Sequence, residues 1–302
     1  TYQLPFDYNP NATAPIFMAY LNRVLPEVKA QNILAEFMGY VFTKSGTLKV
    51  EKALLLHGDG ANGKSVFFEI VNALLGSQNT SNYSLENLTN ENGYYRAQIA
   101  NKLVNYASEI NGKHDVNIFK QMSSCEPIGA RLPYGKPMII TDYAKLIFNC
   151  NKLPSDVEHT TAYFRRFIII PFEVTIPENE RDIELPQKII NNELSGVFNW
   201  VLDGLKRILE NKNFSESEQV KQALESFKKQ SDSVKLFLDD NSYVTDLNEF
   251  IPLKGLYNEY KVYCSDFGYR VTSINTFSDR LKKGLGFQTT RKDFGMAIYM
   301  KK

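Results

Sequence analysis

The chain has 302 residues, long enough for a nucleotide-binding core with one or two small domains beside it. Lys and Arg number 35 against 34 Asp and Glu, so the net charge of +1 excludes a global field that draws in nucleic acid, and any such binding has to be local. The scattered Cys125, Cys150 and Cys264 and three dispersed histidines exclude a disulfide framework and a zinc site, and no apolar run reaches transmembrane length.

That composition suits a soluble protein of the reducing cytoplasm, without a membrane partner. No signal peptide is visible. Starting at Thr1 rather than methionine, the sequence reads as a piece of a longer polypeptide.

Residues 1 to about 15 are rich in Pro and Asn and predict an extended lead-in. From Ile16 to Phe42 apolar residues recur at helical spacing, and Pro26 divides the stretch into two helices. This small helical unit is expected to pack beside the core as scaffold.

Ala53 to Leu56 is a short apolar run that predicts a buried strand. After it come Gly58, Asp59, Gly60, Ala61, Asn62, Gly63, Lys64, Ser65 and Val66, and then a helix whose apolar face is Val66, Phe67, Ile70, Val71, Leu74 and Leu75. Strand, Gly-rich turn and helix in that order form the context of a phosphate-binding P-loop. The glycines let the backbone turn tightly, so that N–H groups and the positive helix end face a phosphate. Lys64 is placed to reach the β- and γ-phosphates, and the Ser65 hydroxyl to bind Mg²⁺. The expected cofactors are ATP and Mg²⁺.

The polar segment 76–92 predicts a loop or short lid. Asn101 to Glu109 predicts a second strand ending in a carboxylate, about 45 residues after the P-loop. Glu109 suits water activation and metal binding there, whereas Ser108 stands where P-loop ATPases usually carry an aspartate. A surface glutamate at a strand end is the plainer alternative.

Between Val116 and Ala144 lie Lys120, Arg131, Tyr134 and Lys136. Ile128–Leu132 and Met138–Ile140 predict a hairpin around Pro133–Pro137, with a basic, aromatic tip suited to nucleic-acid backbone and base faces. An ordinary solvated hairpin fits the local pattern equally well. The apolar run from Lys145 ends in Asn149 and Asn151, either of which can touch a γ-phosphate or orient water. Arg165 and Arg166 directly precede the strand Phe167–Phe172, and an arginine held at a strand start can project into a neighbouring subunit's site. A structural ion pair is the alternative for either.

The order GDGANGKS, strand plus Glu, KxxSxxEPIxAR, FNCNKLP and RRFIIIPF resembles the superfamily 3 helicases, and within them the phage and plasmid primase-helicase and poxvirus D5-like branch. The resemblance covers most of the chain. It implies that Gly58, Gly60, Gly63, Lys64 and Ser65 match the Walker A loop and Glu109 the Walker B acid. It also implies that Asn151 is sensor 1, in preference to Asn149, and Arg166 the arginine finger, with Arg165 as runner-up. Lys120 through Lys136 corresponds to the segment that family members use as the DNA-gripping hairpin of a hexameric ring. Ser108 departs from the pattern and leaves Mg²⁺ more dependent on Ser65 and water.

Glu173–Glu184 predicts an acidic surface loop, Ile189–Leu209 a helix with Trp200 on its apolar face, and 211–230 a charged helix or linker. Leu253–Phe267 predicts an amphipathic helix with Leu256, Tyr257, Tyr260 and Tyr263 inward. A second helix, capped by Ser273, runs to Lys283 with Ile274, Phe277 and Leu281 inward. A hairpin over 287–299 follows. Two helices and such a wing resemble a winged-helix domain. The last 35 residues hold eight Lys/Arg against two Asp, so Arg280, Lys282, Lys283, Arg291 and Lys292 are candidates for phosphate contact.

The expectation is therefore an α/β P-loop (AAA+-like) core with an N-terminal helical unit and a C-terminal winged-helix domain. Its divisions are lead-in and helices 1–46, ATPase core 47–210, helical linker 211–234 and winged helix 235–302. The expected function is an ATP-dependent DNA helicase motor that translocates on single-stranded and forked DNA as a homo-oligomeric ring, a hexamer. A primase or polymerase domain is expected upstream, and for a phage or plasmid gene the site of action is the bacterial host cytoplasm. An ATP-dependent replication initiator without unwinding is the alternative, and a monomeric P-loop kinase a second one.

Overall fold

A computed structural model describes the whole chain except Thr1, Glu109, Asn111, Gly112, Lys113, Ser155 and Asp156. Two compact units form, one of Thr1–Leu153 and Thr160–Leu224, the other of Pro154–His159 and Glu225–Lys302.

The first unit is built on a parallel sheet. Its strands are β1 (Ala53–His57), β2 (Thr80–Ser81), β3 (Val104–Ala107), β6 (Lys145–Cys150) and β7 (Phe167–Pro171), in the order β2-β3-β6-β1-β7. A parallel sheet is covered on both faces, so its central strands carry unbroken apolar runs. Leu54, Leu55, Leu56, Ile169 and Ile170 are accordingly fully buried. Registers pair His57 with Cys150 and with Pro171, and Ala107 with Phe148, which aligns the carboxyl ends of β1, β3, β6 and β7 along one edge. Ligands bind at that edge in open α/β sheets.

Helices α1 (Pro15–Val24) and α2 (Val28–Tyr40) run on either side of Pro26. Helix α2 crosses α9 (Leu194–Asn211) at two glycines. A Cβ on Gly204 would lie 2.1 Å from the Ala35 carbonyl oxygen, and one on Gly39 2.4 Å from the Leu205 nitrogen, so only glycine permits this approach.

Three stretches differ from the sequence expectation. The segment 76–92 is not a plain loop: it holds β2 and the short α4 (Leu85–Thr89), whose first turn Ser84 caps. Buried asparagines order it through side chains that carry no periodicity. Asn79 donates to the Leu75 and Gln3 carbonyls, and Asn105 holds Ser81 and Tyr83. A helix also spans Val116–Ser123 (α6), begun by Asp115, which accepts from the Asn117 and Ile118 N–H groups.

The helix expected over 189–209 is broken at Glu193 into α8 (Leu185–Asn192) and α9. The cause is long-range. The buried Glu193 carboxylate accepts from Ile16 N–H at 2.9 Å and Phe17 N–H at 2.8 Å, capping α1 from 177 residues away. It satisfies two donors that α1 leaves open and meets the positive helix end. Trp200 lies half-buried with its edge against Phe17. Glu193→Ala leaves one buried and one half-buried donor unmet, and a loss of about 2–3 kcal/mol is expected, a fall of roughly 5–10 °C in Tm by thermal unfolding. Unchanged melting would show that α1 keeps its place without the cap.

Strands β4 (Ile128–Arg131) and β5 (Pro137–Ile140) pair antiparallel as a two-stranded sheet around the loop 132–136.

Helix α10 (Glu218–Gln230) carries the chain into the second unit. There α11 (Ser233–Asp240), α12 (Leu253–Phe267) and α13 (Ile274–Asp279) pack on an antiparallel sheet of β8 (Val244–Pro252), β9 (Thr289–Lys292) and β10 (Gly295–Lys301), in the order β8-β10-β9. Leu256, Tyr260, Tyr263, Phe277 and Leu281 enter its core as expected. Ile274 does not: it sits in the first turn of α13, 37% exposed, and the helix continues past Asp279 as a π-helical turn, Arg280–Gly284.

Candidate phosphate site and nucleic-acid surfaces

Strand β1 delivers the chain to the carboxyl edge, and Gly58–Gly63 turns it into helix α3 (Lys64–Leu75). Gly60, Ala61 and Gly63 all have positive φ (111°, 48° and 87°), a path natural only for the glycines. At Gly58 a Cβ would lie 2.2 Å from the Phe172 carbonyl oxygen, so that position is closed to any side chain. Asn62, itself buried, ties the loop to the end of β7 by donating to the same carbonyl at 3.0 Å. Tyr20 reaches across from α1 to donate to the Gly63 carbonyl at 2.8 Å. Helix α3 starts with no side chain capping it. Its open N–H groups and positive end therefore face the cavity, an arrangement that receives an anion.

Lys64 is buried, and its Nζ donates to the Gly58 carbonyl (2.5 Å) and to Asn62 Oδ1 (3.0 Å). Burial lowers its pKa below the ordinary lysine value. An anion beside it would oppose that shift by offering an opposite charge. Ser65 lies exposed on the first turn, where its hydroxyl is accessible. A cavity of about 480 Å³, of a size that suits a nucleotide, opens over this loop.

The cavity brings together Gly60 to Val66, Ser108, Asn149 and Asn151. Asn149 is buried and accepts from the fully buried Tyr106 hydroxyl at 2.8 Å, which turns its amide N–H₂ away from Tyr106. Desolvation drives the Tyr106 pKa well up, so that hydroxyl stays a donor. Asn151 is exposed, just past the strand end. Both asparagines thus reach the site. Glu109 lies outside the described residues. Among those described, no cluster of three metal-ligating side chains occurs; the oxygen groups lining the cavity include the Ser65 and Ser108 hydroxyls, the Asn149 and Asn151 amides and, at the rim, Glu180 and Asp182.

The cavity wall also includes Tyr20, Arg23 and Val24 of α1 and Ile176, Arg181, Ile183 and Leu185. Sequence motifs did not single these out, because they come from two stretches far from the P-loop and from each other. Arg23 pairs with Glu180 at 2.8 Å across the rim, and the Ile176 N–H donates to the Ala61 carbonyl at 2.7 Å.

Arg165 and Arg166 lie at the opposite edge of the sheet. Ala53, the first residue of β1, pairs with Phe167, so a strand of five residues, about 16 Å, separates them from their own P-loop. Their environments differ. Arg166 is turned inward, bonded to the Ala162 carbonyl (2.6 Å), Ser124 Oγ (3.1 Å) and the Lys120 carbonyl (3.3 Å). The Arg165 side chain is 58% exposed and, among the described residues, pairs with Glu51 at 2.9 Å.

On the hairpin, Tyr134 is completely exposed at φ +60°, beside exposed Leu132 and Lys136. Arg131 braces the tip from within, its Nε donating to the Gly135 carbonyl. Lys120 belongs to α6 rather than to the hairpin. The buried Arg96 guanidinium fixes the hairpin base by donating to the carbonyls of Gly129, Leu88 and Asn90. In the second unit Arg280 is committed to Asp232 at 2.5 Å, while Lys283, Arg291 and Lys292 are exposed and Lys282 is half-buried.

Among the described residues, no helix is long and apolar enough to cross a membrane. A family described as "Family of unknown function (DUF5906)" matches residues 56–166, and the family "Poxvirus D5 protein-like" matches 229–301. No curated protein matches the sequence. Among solved structures, the A form of the apo NrS-1 C-terminal region aligns over 98% of this chain and 77% of that one, with TM-score 0.57 and 18% identity. A second apo structure of that region gives TM-score 0.53 over 98% and 79%, also at 18% identity. With a poxvirus D5-like segment at its C-terminal end and an α/β core that carries the P-loop motif order, the chain resembles the D5-like branch of the superfamily 3 helicases.

Proposed function

We propose that the chain is an ATP-hydrolysing motor of DNA replication, the helicase part of a primase-helicase, working on single-stranded DNA as a ring of six copies. The observation that carries this reading is the convergence of Gly60–Val66, Ser108, Asn149 and Asn151 in one cavity at the carboxyl edge of the parallel sheet. The poxvirus D5-like match and the fold shared with the NrS-1 C-terminal region support it.

Bound ATP·Mg²⁺ would supply the scissile phosphoryl bond and a cation to offset the charge that develops on it. The chain's own groups do the rest. Backbone N–H groups of the loop and first turn of α3 cradle the phosphates, Lys64 leaves Gly58 and Asn62 to neutralise them, and Ser65 offers its hydroxyl to the metal. Glu109 is assigned the water-activating role. Asn151 and the Asn149 amide hold the terminal phosphate and water in line.

Arg165 is the better placed of the two arginines to complete a neighbour's site, because it is exposed at the edge remote from its own P-loop. The β4–β5 hairpin, with Tyr134 and Lys136 at its tip, is assigned to the DNA strand. The helices of residues 15–40 form the N-terminal helical unit, and the second unit is read as a winged helix.

Mixed assemblies test the shared site. Lys64→Ala and Arg165→Ala proteins, each inactive alone, are expected to regain ATP hydrolysis when combined. A mixture no more active than its parts, from chains that do co-assemble by sizing with ATP and oligonucleotide, overturns the cross-subunit site.

A further inference from the structure

The sheet of the second unit is asymmetric. One face, with Ile298 and Met300, is fully buried against α12 and its neighbours. The other carries aromatic rings with no core over them. Phe250 of β8 and Phe294 of the β9–β10 turn are 40% and 58% exposed, 6.0 Å apart and within 18° of parallel. Tyr299 stands edge-on to Phe250 at 6.4 Å, from the paired position on β10. The Lys292 ammonium sits 4.8 Å from the Phe250 ring centre.

Leaving two phenylalanines in water forgoes the stabilisation their burial would give, and a folded domain recovers it only by covering them. We propose that this face of the β8-β10-β9 sheet is a stacking platform for single-stranded nucleic acid, with bases on Phe250 and Phe294 and a phosphate on Lys292.

Three observations favour a nucleic acid strand as the occupant over a protein. The exposed side chains at the centre are flat rings, each able to take the face of any base. A cation already lies on one of them, where it can reach the adjoining phosphate. Charge complementarity agrees: the last 35 residues hold eight Lys/Arg against two Asp, and of the two acids on β8, Asp246 is paired with Lys301 at 2.9 Å, an ammonium that Glu249 also attracts. Bases are available for stacking only where a strand is unpaired, which sets single strands apart from duplex. The platform is separate from α13 and its π-helical turn, where Arg280 is tied to Asp232.

The inference rests on the nucleic-acid reading above, and its test separates the two. The 302-residue chain and its Phe250→Leu/Phe294→Leu double variant are compared by fluorescence anisotropy on labelled oligothymidylate of about 20 nucleotides and on an abasic strand of the same length. Wild type is expected to prefer the base-bearing strand. The variant is expected to bind it at least about tenfold more weakly, lose that preference and keep its melting temperature, while Phe250→Tyr/Phe294→Tyr retains binding. Irradiation with 5-iodouracil-substituted strands is expected to cross-link Phe250 or Phe294.

Undiminished binding by the leucine variant overturns the platform alone, as do cross-links confined to other segments, or a variant defect seen only on duplex. Failure of wild type to bind any oligonucleotide overturns the platform and the DNA reading together. ATP hydrolysis without DNA reports the P-loop assignment independently, and the leucine variant is expected to leave it unchanged.

Discussion

Lys64→Ala is expected to lower ATP hydrolysis about 10²–10³-fold or more, a loss of roughly 3–4 kcal/mol of transition-state stabilisation, with the fold intact. The size follows from the site. Among the described residues Lys64 is the only lysine lining the cavity over Gly60–Val66, and burial, which lowers its pKa, leaves its charge poorly solvated. Low local dielectric makes the interaction of that charge with a developing phosphoryl charge stronger than it would be in water. Lys64→Arg does not restore the rate, because the planar guanidinium cannot occupy the compact space between the Gly58 carbonyl and Asn62. Alanine also removes a buried ammonium, so the fold is expected to be no less stable. Steady-state phosphate release with and without single-stranded DNA, alongside thermal unfolding, checks both halves. A Lys64→Ala protein hydrolysing ATP at full rate would falsify the site assignment.

The same loop shows what the sequence made legible. Gly58, Gly60 and Gly63 announce a backbone path because only glycine takes it, and flanking apolar runs give its strand and helix by their periods. Ile128–Ile140 likewise declared a hairpin through two short runs around Pro133 and Gly135. Less legible was whatever depends on one polar side chain reaching across the fold. Glu193 looks like one more helical residue, yet it ends α8 to cap α1. Asn79 and Asn105 order a segment whose composition says loop. Tyr20 and Arg23 belong to a helix whose pattern speaks only of core, and both line the nucleotide-sized cavity. Periodicity encodes which face is buried. It does not encode which buried or half-buried polar atom finds which backbone group, because that pairing is fixed by the tertiary arrangement.

Arg165 and Arg166 stand side by side in sequence, and their replacements are expected to fail in different ways. Arg166→Ala removes a guanidinium that is 90% screened from solvent and bonded to the Ala162 and Lys120 carbonyls and to Ser124, with Glu51 at 3.6 Å. Leaving those acceptors unmet, and opening a cavity between α6 and the start of β7, is expected to cost about 3 kcal/mol or more. Thermal unfolding of the isolated chain, without nucleotide, should register it. Arg165→Ala breaks one exposed ion pair with Glu51, a contact worth less than about 1 kcal/mol, and the melting temperature should barely move. If Arg165 enters a neighbour's site, its loss lowers kcat in the assembled ring by about 10³-fold while nucleotide binding persists. Arg165→Lys should recover little, since a point charge does not reproduce the planar, multi-donor geometry. Should Arg165→Ala assemble and hydrolyse normally while a stably folded Arg166→Lys protein is inactive, the cross-subunit role passes to Arg166. In that event the inward bonds of Arg166 would have to be released when subunits meet, and its guanidinium would carry an ordering cost that Arg165 does not.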